Sequence, residues 1–321
     1  MSILITGAGG MVGTHMIDFF AKQGIRPVGT YYKPTANIKE VQSEAELIEC
    51  DIRYFTNVYD IIKERKPEQI FHLAAQSYPS ISWQKPQETM EINVTGTINV
   101  FESIRRVQRS DSKYDPVVVV ACSSAEYGDS LQNSDTAVKE DTILLPLHPY
   151  GVSKVCQDLL SYQYFVNHNI RTIRARIFNT TGPRKTNDVC ADFTKRIVEM
   201  ERDGMRQGVL RTGNLETFRA ITDVRDLVRA LVALSDYGVP GEAYNVCGSN
   251  VYRISDLVDI IRKNTEVDFS TETDKELLRP TDERVICGDS SKLVAATGWK
   301  QSYTIEETIH DMLEYWRREL L

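Results

Sequence analysis

The sequence predicts an α/β protein built on a doubly wound parallel sheet, with a smaller α+β part assembled from two separated segments. Three observations lead there. Short apolar runs alternate with helix-length segments over the first half of the chain, the pattern of βαβ units whose helices cover both faces of a sheet. Val117-Val118-Val119-Val120 is uniformly apolar and β-branched, as a strand buried on both faces requires. A glycine cluster from Gly7 to Gly13 joins the first strand to the first helix.

Taken in order, a strand over 2–6 leads into a helix over 10–22, then strands at 27–31 and 46–50, a helix at 58–65 and a strand at 70–73. A long helix over 87–107, the strand 117–122, a helix over 150–167 and the strand 172–178 complete the regular pattern. After Phe178 it loosens: one helix at 191–203, then a helix within 222–237 and a strand at 243–246 that return to the main sheet, then mixed short elements over 250–299. Residues 1–178 and 219–248 are therefore assigned to the sheet domain. Residues 179–218 and 249–321 are assigned to the second, which clamps a ligand against the strand ends.

With 321 residues, 41 % of them hydrophobic, the chain can bury a full core, and 26 % charged residues without low-complexity tracts predict folding throughout. A net charge of −7 argues against nucleic acid as a partner, which demands a concentrated basic surface. No run approaches the ~20 apolar residues of a membrane span. The first strand follows Met1 so closely that no leader fits. Cys50, Cys122, Cys156, Cys190, Cys247 and Cys287 are scattered without a C-x-x-C pair, which fits reduced thiols and no metal site. The expectation is a cytoplasmic protein.

Gly7, Gly10 and Gly13, with Met11 and Val12 between the last two, follow the G-x-x-G-x-x-G spacing. Glycine permits the sharp turn and the close approach of backbone to a pyrophosphate, and the helix N-terminus attracts its charge. Between a strand and a helix this predicts a Rossmann-type dinucleotide site. A carboxylate at the end of the second strand would select NAD; here Thr30 stands in that place and Lys33 follows, which favours NADP over NAD. Asp51, with Ile52 beside it, is a candidate adenine contact.

Tyr150 and Lys154 form a Y-x-x-x-K unit whose i,i+4 spacing sets both side chains on one helix face. A phenol near pKa ~10 is a weak acid–base at neutral pH, and a neighbouring ammonium favours its phenolate. Ser123 and Ser124, ending the preceding strand, offer hydroxyls for a substrate oxygen.

The motifs Thr6-Gly7 with Gly10 and Gly13, His72-Leu73-Ala74-Ala75, Asn93 to Thr97, Ser123 to Gly128 and Tyr150 to Lys154 resemble, over the whole chain, the extended short-chain dehydrogenase/reductase family of epimerases and dehydratases. The resemblance implies Ser123, Tyr150 and Lys154 as the catalytic set, Asn93 as their neighbour, and Leu73, Ala74 and Ala75 at the cofactor. Phe178 to Arg184, Gly213 to Glu216, Arg219 and Arg279 to Asp282 are similar to enzymes of GDP-mannose metabolism, namely GDP-4-keto-6-deoxymannose reductases and GDP-mannose 4,6-dehydratases. By that likeness a GDP-sugar is the favoured ligand. Asn179, Arg219 and Arg279 hold its diphosphate and Asp282 its ribose, with Ser124, Glu126, Arg184 and Asn214 completing the substrate set. Dehydratases of this type carry a carboxylate two residues before the Tyr127-Gly128 pair, and this chain has Ala125 there. The favoured activity is therefore a reductase at C4, with a 4,6-dehydratase or 4-epimerase as alternatives and a nucleotide-sugar sensor as the non-enzyme reading. The helices 87–107 and 150–167 are apolar beyond one stripe, and the family implies a homodimer through a four-helix bundle of them.

Overall fold

The computed structural model describes residues 1–132, 137–278 and 284–321. Strands β1 (Ile3–Thr6), β2 (Val28–Tyr31), β3 (Glu46–Glu49), β4 (Gln69–His72), β5 (Val117–Ser123) and β6 (Arg171–Ile177) join Ala243–Val246 in one sheet. Its order is Ala243–Val246, β6, β5, β4, β1, β2, β3, and every pairing is parallel. The order reverses between β1 and β4, which opens a crevice at the carboxyl ends of those strands. Helices α1 (Met11–Ala21) and Val224–Tyr237 cover one face. Helix α2 (Phe55–Arg65), the succession α3 (Pro79–Gln84), α4 (Pro86–Met90) and α5 (Gly96–Ser110), then α6 (Asp129–Gln132) and α7 (Pro149–His168) follow along the chain. Of these, α2, α5 and α7 cover the other face.

The valine run of β5 shows how the sheet is filled. Val117 and Val119 enter one core with Ile5, Phe20, Phe71 and Leu231, while Val118 and Val120 enter the other with Leu4, Ile70 and Phe101. A third core lies outside the sheet, where Ile197, Ile261, Ile309 and Leu313 of helices Val189–Arg202, Ile254–Arg262 and Ile305–Leu320 pack on Leu210 and Phe269 of strands Gln207–Thr212 and Asp268–Thr273. Helix Ser291–Thr297, which the sequence division places with the second domain, instead packs on the sheet core through Leu293, as does Trp299.

The long helix expected over 87–107 is present, widened in one stretch. Lys85 ends α3 in a non-helical conformation before Pro86, and residues Glu91–Thr95 form a wide turn ahead of α5. The cause is local: Thr97 Oγ1 donates back to the Asn93 carbonyl at 2.6 Å, and the Asn93 side chain is drawn to Gln76 and Ser153.

Arg184 ties the third core to the sheet domain. From a left-handed backbone at φ 67 its guanidinium reaches Asp18 of α1 at 2.6 Å and Glu40 at 2.8 Å. This corrects its assignment to the substrate set, because both carboxylates already occupy the fork. The adjacent Pro183 carbonyl meets His15 Nε2 at 3.0 Å. No helix among the described residues is long and apolar enough to cross a membrane. Replacing Arg184 with Met strips Asp18 of its arginine and leaves Glu40 only the more distant Arg318 and Tyr315, so the variant loses about 2 kcal/mol in urea unfolding while keeping native circular dichroism. An unchanged midpoint would remove the lock.

Candidate active site

The crevice begins at the glycine turn. Gly7 sits at φ 75, and a Cβ there would lie 2.7 Å from the Ala74 backbone nitrogen; a Cβ on Gly13 would lie 2.5 Å from the Gly7 carbonyl. Helix α1 starts at Gly10 with no side-chain cap and no acid in its first turn, so the N–H groups there face the crevice uncompensated. Met11 and Val12 form that turn, and Leu73, Ala74 and Ala75 border it from the end of β4. This cradle fits a dinucleotide pyrophosphate. Thr30, one residue before the end of β2, is buried, with a hydroxyl that has no hydrogen-bond partner. Lys33 is exposed, its Nζ 5.2 Å from the Tyr32 ring, and Arg53 approaches the same ring at 6.0 Å.

Asp51 and Ile52 are less open than the sequence suggests. Burial would raise the Asp51 carboxyl, but a fork from Arg53 at 2.6 and 3.0 Å more than offsets it and holds Asp51 below the usual carboxylate range. The Ile52 side chain lies in the core with Val58 and Phe101.

Ser123 closes β5, and Tyr150 begins α7. Two features bring them together. His148 caps α7 by accepting the Gly151 N–H at 3.0 Å, and Gly151 lets the helix press on the next loop, where a Cβ would lie 2.6 Å from the Ala125 carbonyl. The Ser123 side chain is a neighbour of the Tyr150 phenol. Burial pushes Tyr150 up to about 12, against the opposing effect of Ser123, so the phenol holds its proton. Lys154 does not offset that rise, because, itself lowered to about 8, it gives up its charge before so buried a phenol ionises. Its Nζ, 5.8 Å from the Tyr150 ring, donates to the Ala121 carbonyl and to Gln157 Oε1, each at 2.8 Å. Only 3 % exposed, Lys154 is itself lowered to about 8 by burial.

From Lys154 a buried polar chain runs back to the glycine turn. Gln157 Nε2 donates to Thr97 Oγ1 at 2.9 Å, whose single proton is already given to the Asn93 carbonyl. His72 Nε2, 3.0 Å away, must therefore donate to Thr97, leaving Nδ1 to accept from Thr6 at 2.8 Å. Burial lowers His72 to about 3, so the ring is neutral. Gln157 carried no signal in the sequence beyond its place one turn after Lys154. His72 and Thr97 stood in the family motifs without a role.

The substrate set is only partly gathered. Ser124, next to Ser123, is buried. Asn179 follows β6, its carbonyl accepting Thr222 N–H at 2.9 Å. Arg219 lies in Phe218–Ala220, beside Ile286. Asn214 is exposed and turns its amide oxygen to Glu216 N–H. Arg279 and Asp282 lie outside the described residues. Glu126, expected to touch substrate, is fully buried, accepts Ser123 N–H at 2.8 Å and faces Arg176 and Asp158, within electrostatic reach of Tyr150 and Lys154.

The chain matches the family described as GDP-mannose 4,6 dehydratase over residues 4–312. It is 27 % identical to a GDP-6-deoxy-D-mannose reductase of Pseudomonas aeruginosa, covering 98 % of this chain and 96 % of that protein. The solved structure of RMD from Pseudomonas aeruginosa complexed with NADPH superposes with a TM-score of 0.84 at 25 % identity over the whole of both chains. A UDP-glucuronic acid 4-epimerase from Bacillus cereus, in complex with UDP-glucuronic acid and NAD, shares the fold with a TM-score of 0.86 at 23 % identity, covering 99 % of this chain and all of that one.

Lysine NMR checks the buried ammonium. Lys154 loses its proton as pH rises through about 8, whereas exposed lysines titrate near ~10.4. Lys154→Met removes that early transition; a spectrum with every lysine titrating together contradicts the assignment.

Proposed function

The chain belongs to the GDP-mannose 4,6-dehydratase family, whose members use NAD(P) on nucleotide sugars, and from that premise we propose that it is a reductase acting at C4 of a GDP-4-keto-6-deoxyhexose. The observation that carries the reading is the loop after β5. Dehydration needs a carboxylate to remove the C5 proton. The position that supplies it in dehydratases is Ala125, and neighbouring Glu126 is turned into the core with Arg176. Reduction needs only a proton donor, and Tyr150 is one.

Bound NAD(P)H supplies the hydride. Ser123 and Tyr150 hold the C4 oxygen between their hydroxyls, and as charge develops there the phenol gives up its proton. Lys154, positive below about pH 8, steadies the resulting phenolate. Two of its three N–H groups are taken by Ala121 and Gln157, which leaves one for the nicotinamide ribose. Asn179, Asn214, Ser124 and Arg219, with Arg279 and Asp282, form the proposed grip on the nucleotide diphosphate. NADP is favoured over NAD, since no acid follows β2 and Lys33 and Arg53 flank Tyr32.

A homodimer through α5 and α7 accords with the surface. Val152, Leu159, Tyr162 and Val166 follow one stripe of α7 and remain exposed, Leu159 at 53 %. Val100 and Phe101 of α5 are instead used up in the protein's own core. Light scattering should give twice the 36.5 kDa chain mass, and Leu159→Asp with Val166→Asp should give a monomer.

The chemistry is tested with a GDP-4-keto-6-deoxysugar and NADPH. Tyr150→Phe lowers kcat by roughly 10²–10⁴-fold with coenzyme affinity nearly unchanged. Sustained conversion of GDP-mannose to its 4-keto-6-deoxy product, with no net change in coenzyme, overturns the choice of reaction.

A further inference from the structure

Cys247 and Cys287 are remote in sequence, yet they lie in one small core, with the Cys247 sulfur against the residue that follows Cys287. They sit in a small core with Tyr127, Val138 and Phe178, at the end of Ala243–Val246 and immediately after the strand Val285–Ile286. Cys247 is fully buried, and its sulfur accepts the Gly288 N–H at 3.2 Å. Cys287 is half-buried. The neighbouring Cys247 lowers Cys287 to about 7, opposing burial, while Cys287 and burial together raise Cys247. One thiol is therefore half-exposed and favoured as the thiolate, and its partner is protected beside it.

We propose that Cys247 and Cys287 form a redox-active dithiol, a modification site for low-molecular-weight disulfides, separate from the hydride-transfer centre. The Cys287 thiolate attacks one sulfur of the incoming disulfide, forming a mixed disulfide and expelling one thiolate, which takes up the proton Cys287 has lost. Cys247 then gives up its proton and attacks the Cys287 sulfur, expelling the second thiolate. Two protein thiols are oxidised to one disulfide, and the reagent is reduced to two thiols. The bridge ties Val285–Ile286, which pairs with the Arg219-bearing strand Phe218–Ala220, to the edge of the main sheet.

The test needs no catalytic assay. Folded wild-type protein is incubated with oxidised glutathione, then mapped by intact mass and by non-reduced peptide analysis. The expected product has lost two hydrogens, carries no adduct, contains a Cys247–Cys287 peptide and reverts with dithiothreitol. Cys247→Ser stops at a glutathione adduct on Cys287, and Cys287→Ser leaves residue 247 unmodified. In oxidised wild type, exchange of the Gly288 and Asp289 amides slows. Wild-type protein that stays fully reduced, or that accumulates a stable adduct on Cys287 without the internal bridge, overturns the proposal. Because wild-type protein decides the outcome, a variant that fails to fold does not protect the idea.

Discussion

The catalytic geometry depends on one buried ion cluster. Asp158, on α7 one turn beyond Lys154, is held by Arg174 at 2.7 Å and by Arg176 at 2.9 Å, both on β6. Arg176 also reaches the Tyr127 hydroxyl at 3.0 Å and stands 3.4 Å from Glu126, whose other oxygen takes the Ser123 N–H. The same charges that fix the helix over the sheet thus fix the strand end that carries the serine. Removing one partner of such a cluster costs on the order of 3–5 kcal/mol, because the remaining charge is stranded without water. Burial pulls the two acids apart: Glu126 is raised well above its usual range, first by desolvation and then by Asp158, while Asp158 is lowered because its arginines more than offset its burial. Glu126 therefore serves as a brace for Ser123.

Low polarity around the crevice does more than hold it together. It raises the phenol of Tyr150, lowers the ammonium of Lys154 and keeps His72 neutral. These shifts favour the uncharged form of each group, as desolvation dictates. The hydrogen-bond chain from Lys154 through Gln157, Thr97 and His72 to Thr6 carries no net charge beyond the lysine, so it can be fully buried without a counter-ion. It also makes the cofactor turn and the catalytic helix parts of one rigid body.

What the sequence disclosed follows periodicity and local chemistry. The valine run of β5, the Gly7 to Gly13 turn and the Tyr150–Lys154 pair each announce themselves within a few residues, and the sheet, the cradle and the shared helix face appear where those signals fall. What stayed hidden depends on contacts between distant segments. Arg184 reads as a free substrate ligand until Asp18 and Glu40 are seen to engage it. Glu126 reads as a site carboxylate until the turn after Ser123 swings it inward. The i,i+4 spacing likewise fixes which face Tyr150 and Lys154 share, but not that burial beside Ala121 and Gln157 makes the lysine give up its own proton first.

The last strand of the main sheet, Ala243–Val246, is made long after its neighbour β6. A chain emerging from the ribosome therefore completes six strands and then waits, with the open edge of β6 presenting unpaired amides and carbonyls to solvent. The third core is assembled largely during that wait and afterwards, from residues on both sides of the missing strand. Trp299, nearly at the end, packs into the first core. Synthesis order and spatial order are out of step, so the β6 edge stays open until residues 243–246 arrive and the first core stays incomplete until Trp299 does. A truncation that removes Trp299 takes a side chain from the sheet core as well as the last helix from the third core.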